Sequence, residues 1–241
     1  MLVSSFIAPS RIVSDHVHAD PANWTWKDFE RGAWKKNHGV WQKFADKWRH
    51  FNFDRGDPSG LKIDLALPAL SGDDCLIVRS CYVEAEKLVW KQALSLPQTG
   101  VIIMGQPGIG MIISLFQYAF VEIFVGKTLF LWYLLLRLLS MRQVVLVHVS
   151  GLDVLFYHDG VYRPSRDANV SDLPSPGAGS FIWSLFDLYP NEMVPPFAVD
   201  PQCFPVQGPS PNPSLYRNWR KVRGPRYTVF PLWTLEELNH A

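Results

Sequence analysis

Short, uninterrupted apolar runs punctuate the second half of the chain. VIIMG at 101–105, VVLVHV at 144–149 and FIWSLFD at 181–187 each end at a glycine, a turn or an acid. Continuous runs of this length suit strands covered on both faces, as in a parallel sheet. CFPVQ at 203–207 and YTVFPLW at 227–233 read as a fourth and a fifth strand, weakened by Pro205 and Pro231, since proline removes a ladder donor. VLFYHDGVYRP at 154–164 turns at Asp159-Gly160 and predicts a hairpin. Between these runs, 82–94 has a helical pattern ended by Pro97, and 128–139 reads as a buried helix. Strands alternating with helices predict an α/β fold, doubly wound around a mainly parallel sheet. Val101 to Gly105 and Phe181 to Asp187 are expected side by side in it, and the phosphate-loop reading below is made to depend on that placement.

Upstream, the pattern is weaker. Residues 1–23 carry no period and read as a leader, and 54–75 holds Pro58, Gly60, Pro68 and Gly72, as a linker with short extended pieces would. Between them, Trp34, Trp41 and Trp48 recur every seven residues, which places them on one face of a helix over about 24–50, interrupted at Gly39. The period reads as tryptophans packed inward; the alternative is an aromatic, basic surface for single-stranded nucleic acid. Residues 1–75 are thus expected as an extension and linker, and 76–241 as the main domain. Thr234 and Glu237 form a capping box whose helix the chain end cuts off, so that domain is expected to be incomplete.

Charge narrows the partners only slightly. With 23 basic and 22 acidic residues in 241, no global field favours nucleic acid. Cys75, Cys81 and Cys203 are too few and too irregular for a disulfide framework or a zinc ribbon, which points to a reducing, intracellular setting for a soluble protein. The alternative is a membrane protein, because 112–136 is about as long and apolar as a bilayer span, although Glu122 and Lys127 interrupt it.

The chemistry lies in the same stretch. A phosphate loop of the form G-x-x-x-x-G-K-[ST] wraps phosphates with backbone N–H groups, extends a lysine to the outer phosphates and offers a hydroxyl to Mg²⁺ at a helix start. Here Gly105, Gln106, Pro107, Gly108, Ile109 and Gly110 follow an apolar strand, and Lys127 and Thr128 precede an apolar helix. Removing 111–126 leaves GQPGIGKT followed by LFLWYLLLRLL, which fits the pattern at every position. The expected cofactors are therefore ATP and Mg²⁺, with binding impaired in the chain as written. If the insertion continued a helix from the loop, Lys127 would stand about 24 Å along it at about 1.5 Å per residue.

Asp187, at the end of the third run, fits the acid that completes a magnesium site and serves catalysis, with Thr128 as its metal-binding partner. Asp153 and Asp159 read as turn residues. Ser210 or Asn212 would suit a γ-phosphate sensor, and Arg217, Arg220 or Arg223 an arginine finger, though a solvated basic helix explains the arginines as well.

Taken together, LIVRSCY, VIIMGQPGIG with GKTLFLWYLLLRLL, VLFYHDGVY, FIWSLFD and SPNPSLYRNWRK with FPLWTLEEL resemble the P-loop ATPase region of the Crinkler and retrotransposon-hot-spot-like proteins of fungi, over about residues 76–240. The resemblance implies an ATP-dependent regulatory module, often joined to a downstream nuclease-like or other effector domain; residues 1–241 show no nuclease constellation. The expected partners are a nucleotide and either another protein or that effector. The rival reading is a non-catalytic NTPase scaffold for protein interaction.

Overall fold

The computed structural model describes residues 24–27, 31–53, 60–65, 75–105, 126–149, 151–188, 193–208 and 216–231. In chain order the first elements are β1 (Trp24–Thr25), β2 (Trp34–Lys36), α1 (Val40–Arg49), β3 (Lys62–Asp64), β4 (Cys75–Ile77), α2 (Ser80–Ser95) and β5 (Val101–Gly105). There follow α3 (Gly126–Ser140), β6 (Val145–Val149), β7 (Leu152–Tyr157), β8 (Gly160–Pro164), β9 (Ser175–Pro176) and β10 (Ile182–Phe186). The last are β11 (Cys203–Gln207), α4 (Arg217–Arg223) and β12 (Arg226–Phe230).

Eight strands form one mixed, largely parallel sheet in the order β12-β5-β11-β10-β6-β7-β8-β2. The five from β12 to β6 run parallel, and β7, β8 and β2 continue antiparallel. The parallel strands are those with continuous apolar runs, because helices and loops cover both of their faces. Val101, Ile103, Trp183, Leu185, Phe204 and Val206 point to one face, where they join α1, α2 and α3 in a single core. On the other face Ile102 and Phe186 pack on Tyr216 and Trp219 around α4. Val144, Leu146 and Ile182 meet Trp24, Trp34 and Phe197 further along that face.

Several sequence expectations need correction. Val101–Gly105 and 181–187 share the sheet but are not neighbours, so the placement on which the phosphate-loop reading depended is not met: β11 lies between them, pairing in parallel with both, which leaves their carboxyl ends on one rim two strands apart. Pro205 is tolerated in β11 because pairing with β5 begins only at Val206. Gly100 accommodates the proline, since a Cβ there would lie 2.7 Å from both its ring and its carbonyl oxygen. Pro231 falls just beyond β12.

The helix expected over 24–50 begins only at Val40, capped by Gly39, and Trp34 belongs to β2. The open edge of β8 offers residues 34–36 a ladder that a local helix would forgo. Trp24, Trp34, Trp41 and Trp48 are all buried, so they form no stacking surface for nucleic acid. The expected extension thus supplies an edge strand and a core helix to the main sheet. In the hairpin the two turn residues are His158 and Asp159, and Gly160 already pairs with Tyr157. Asp153 lies within β7, opposite His148, and is not a turn residue.

Helix α3 holds the described part of the apparent membrane span, residues 126–136. Its residues Phe130 to Leu136, with Leu138 and Leu139, are buried, and a helix apolar on every side belongs in the middle of a core. The sheet covers one side, and α1 and α2 cover the rest. Trp132 stacks on Trp41 with ring centroids 6.4 Å apart. No helix among the described residues is long and apolar enough to cross a membrane. Residues 112–125 and the capping box at Thr234 lie outside the described residues.

The α2–α3 contact holds one buried polar group. Glu86 accepts from Arg137 Nε at 2.9 Å and from the Tyr133 hydroxyl at 2.5 Å, and the Arg137 guanidinium lies over Phe53. Glu86→Ala should cost about 3–5 kcal/mol, because Arg137 is left as an uncompensated buried charge. The triple change Glu86→Leu, Tyr133→Phe, Arg137→Met should recover most of that loss, read as urea midpoints.

A second tether joins the N-terminal segment to the hairpin: Arg31 donates to Asp159 and Tyr162, and its guanidinium lies over the Trp26 ring. Burial pushes the Asp159 carboxyl up, but hydrogen bonds from Tyr162 and Arg31 outweigh it and hold the group below its ordinary value. A depressed folded-state pKa stabilises the protein above the ordinary carboxylate range, and that contribution disappears as pH falls through the lowered value. The melting-temperature gap between the natural chain and Asp159→Asn should therefore be present at neutral pH and close in strong acid.

Candidate nucleotide and metal site

In parallel sheets, ligands gather beyond the carboxyl ends of the strands, where neighbouring strands send their connections in opposite directions. That point lies between β5 and β11. The chain leaves β5 and crosses past β11 and β10 to reach β6, whereas after β11 it passes to the far side of β5 to form β12. Gly105 ends β5 at this rim, paired with Phe230. One strand beyond β11, Asp187 follows Phe186, the last residue of β10.

Helix α3 brings the second component to the same rim. It carries Gly126, Lys127 and Thr128 in its first described turn and packs against β5, β10 and β6. The apolar residues that follow direct α3 down the sheet, so its first described turn lies at the carboxyl edge of the strands. There the Thr128 hydroxyl donates to Asp187 Oδ2 at 2.6 Å. Two residues 59 positions apart in sequence, expected to serve one metal, are thus in direct contact.

Beside this pair is a cleft lined by Thr128, Leu131, Val147, His148, Leu185 and Asp187. His148 Nδ1 lies 3.0 Å from Asp153 Oδ1 across the β6–β7 ladder. This histidine was not singled out from sequence; its place at the end of a buried apolar run was the available signal. Gln106, Pro107, Gly108, Ile109 and Gly110, residues 111–125 of the insertion, Ser210 and Asn212 lie outside the described residues.

The arginine candidates separate. Arg223 donates to the carbonyls of Thr99, Asp200 and Cys203 at 3.2, 3.1 and 2.5 Å. Those residues lie just before β5 and at the start of β11, the opposite rim from Asp187, so Arg223 is a structural staple and not a finger. Arg220 lies over the Tyr227 ring. Arg217, at the other end of α4, is exposed. Burial pushes the Cys203 thiol far above its ordinary value, so it is no nucleophile.

A hydroxyl and a carboxylate form a hard oxygen pair suited to Mg²⁺, which takes one or two protein oxygens and completes its shell with water and phosphate. Among the described residues there is no cluster of three or more His, Cys, Asp or Glu that would hold a metal by itself. Thr128→Val should lower stability by about 1 kcal/mol by removing a donor to a part-buried carboxylate. Thr128→Ser should keep it, with urea slopes unchanged in both. Compared with protein-family models, curated proteins and solved structures, the chain finds no match in any of the three.

Proposed function

We propose that this chain is a nucleotide-binding domain of P-loop type, doubly wound, whose activity is the Mg²⁺-dependent binding and hydrolysis of ATP. The observation that carries the reading is the 2.6 Å contact between Thr128 and Asp187 at the carboxyl rim of the parallel strands. A threonine at a helix start and an aspartate at a strand end are the two protein oxygens such a site needs. Gly105 to Gly110 would cradle phosphate with backbone amides, Lys127 would reach the outer phosphates, and Thr128 and Asp187 would hold the metal. Bound Mg²⁺ supplies neutralisation of charge on the β- and γ-phosphate oxygens. Asp187 would also orient the attacking water.

The sixteen residues 111–126 stand between the two halves of this loop in sequence. A loop of that length closes at modest entropic cost. Its ends must nevertheless meet with the dihedrals a phosphate loop requires, so the chain as written binds nucleotide weakly.

The reading is tested with a fluorescent ATP analogue and Mg²⁺. A version lacking 111–126 should bind, and both Lys127→Ala and Asp187→Asn in that background should weaken binding at least about tenfold, the loss of one charge-assisted contact. Failure of the natural chain and the shortened version alike, both folded, would overturn the nucleotide assignment and leave a non-catalytic scaffold for protein interaction.

A further inference from the structure

Strand β12 stands at one end of the sheet, with β5 on one side and no strand on the other among the described residues. The Arg226 amide donates to the Gly100 carbonyl, so Arg226 faces β5. Because backbone groups alternate along a parallel ladder, the N–H and C=O of Tyr227 and Val229 point away from β5. Natural edges are usually blunted by charges, bulges or proline. At these two positions the side chains are instead Tyr227, 38% exposed, and Val229, 67% exposed; Val222 on α4 is 83% exposed.

The stretch of chain that forms this edge carries charge of one sign. From 201 to 231 the chain contains five cationic residues, Arg217, Arg220, Lys221, Arg223 and Arg226, and no aspartate or glutamate, although the whole protein is nearly neutral at +1. Arg223 is committed to backbone carbonyls. The other four are exposed. Arg217, Arg220 and Lys221 fall on one side of α4 by their spacing. Contacts of Tyr227 with Tyr216 and Arg220 bring this helix to β12.

We propose that the β12 edge docks an extended, acidic segment of a partner protein, which adds a ninth strand to the sheet. Outward backbone groups would supply the ladder, Tyr227 and Val229 would take alternate apolar side chains, and the cations would select for acids. Single-stranded nucleic acid fits the same charge less well. Arg220 already lies over the Tyr227 ring, and Val222 and Val229 give a base no aromatic platform. The proposal is independent of the nucleotide site.

The test uses the full chain and a fluorescein-labelled peptide of alternating glutamate and valine, followed by anisotropy. Saturable binding is expected. Val229→Pro, which removes an outward donor and no bond to β5, should weaken it at least about tenfold. The pair Arg220→Glu, Lys221→Glu should do the same. Should the proline variant unfold, the natural chain with a peptide N-methylated at alternate amides serves instead, and that peptide should not bind. The proposal is overturned if the methylated peptide binds as well as its parent, or if a lysine–valine peptide matches the acidic one. It is equally overturned if the acidic peptide fails to bind, with or without binding of an oligothymidylate probe.

Discussion

Burial of α3 on all its sides is the constraint from which the rest of this structure follows. A helix with Phe130, Tyr133, Leu134, Leu135, Leu136 and Leu138 wholly out of solvent needs cover beyond what one sheet face supplies. The parallel strands cover one side. The other requires α1 and α2, which is why residues well ahead of β5 are built into the core and Trp41 stacks on Trp132. The ion pair between Glu86 and Arg137 places one polar cross-link in this apolar contact, where hydrogen bonds from two side chains satisfy the carboxylate. Desolvation of both charges offsets much of their attraction, so such a pair adds little net stability.

The same burial positions the candidate site. With α3 held along β5, β10 and β6, its amino end is placed at the rim where those strands finish, and Thr128 has Asp187 within hydrogen-bond distance. Precision at the rim therefore derives from apolar packing further down the helix, as expected where a site is supported by rigid elements. The two halves of the sheet divide the work. The parallel half carries the rim and the switch point, while the antiparallel half, through β8 and β2, anchors the N-terminal segment. At the far end of the parallel half, β12 combines an open ladder with a local excess of positive charge that the neutral total conceals.

Local pattern alone determined a good deal of this protein. The continuous apolar runs at 101–105, 144–149 and 203–207 specify strands, and the one at 128–139 a buried helix, because burial on two sides leaves no room for polar residues. Asp187 and Thr128 could be singled out as candidates too, since strand ends and helix starts are where backbone geometry offers a site.

What sequence could not decide was which strands meet. Strand order depends on contacts between residues scores of positions apart, and the apolar runs of β5, β10 and β11 are interchangeable as partners until all three are packed. Only the assembled sheet put β11 between the glycine strand and the acid strand. Only the vacant edge of β8 turned Trp34 from a helix position into a strand. The hydroxyl–carboxylate contact at the rim is likewise tertiary: its two partners could be named one by one, but their 2.6 Å separation exists because α3 is packed across β5, β10 and β6.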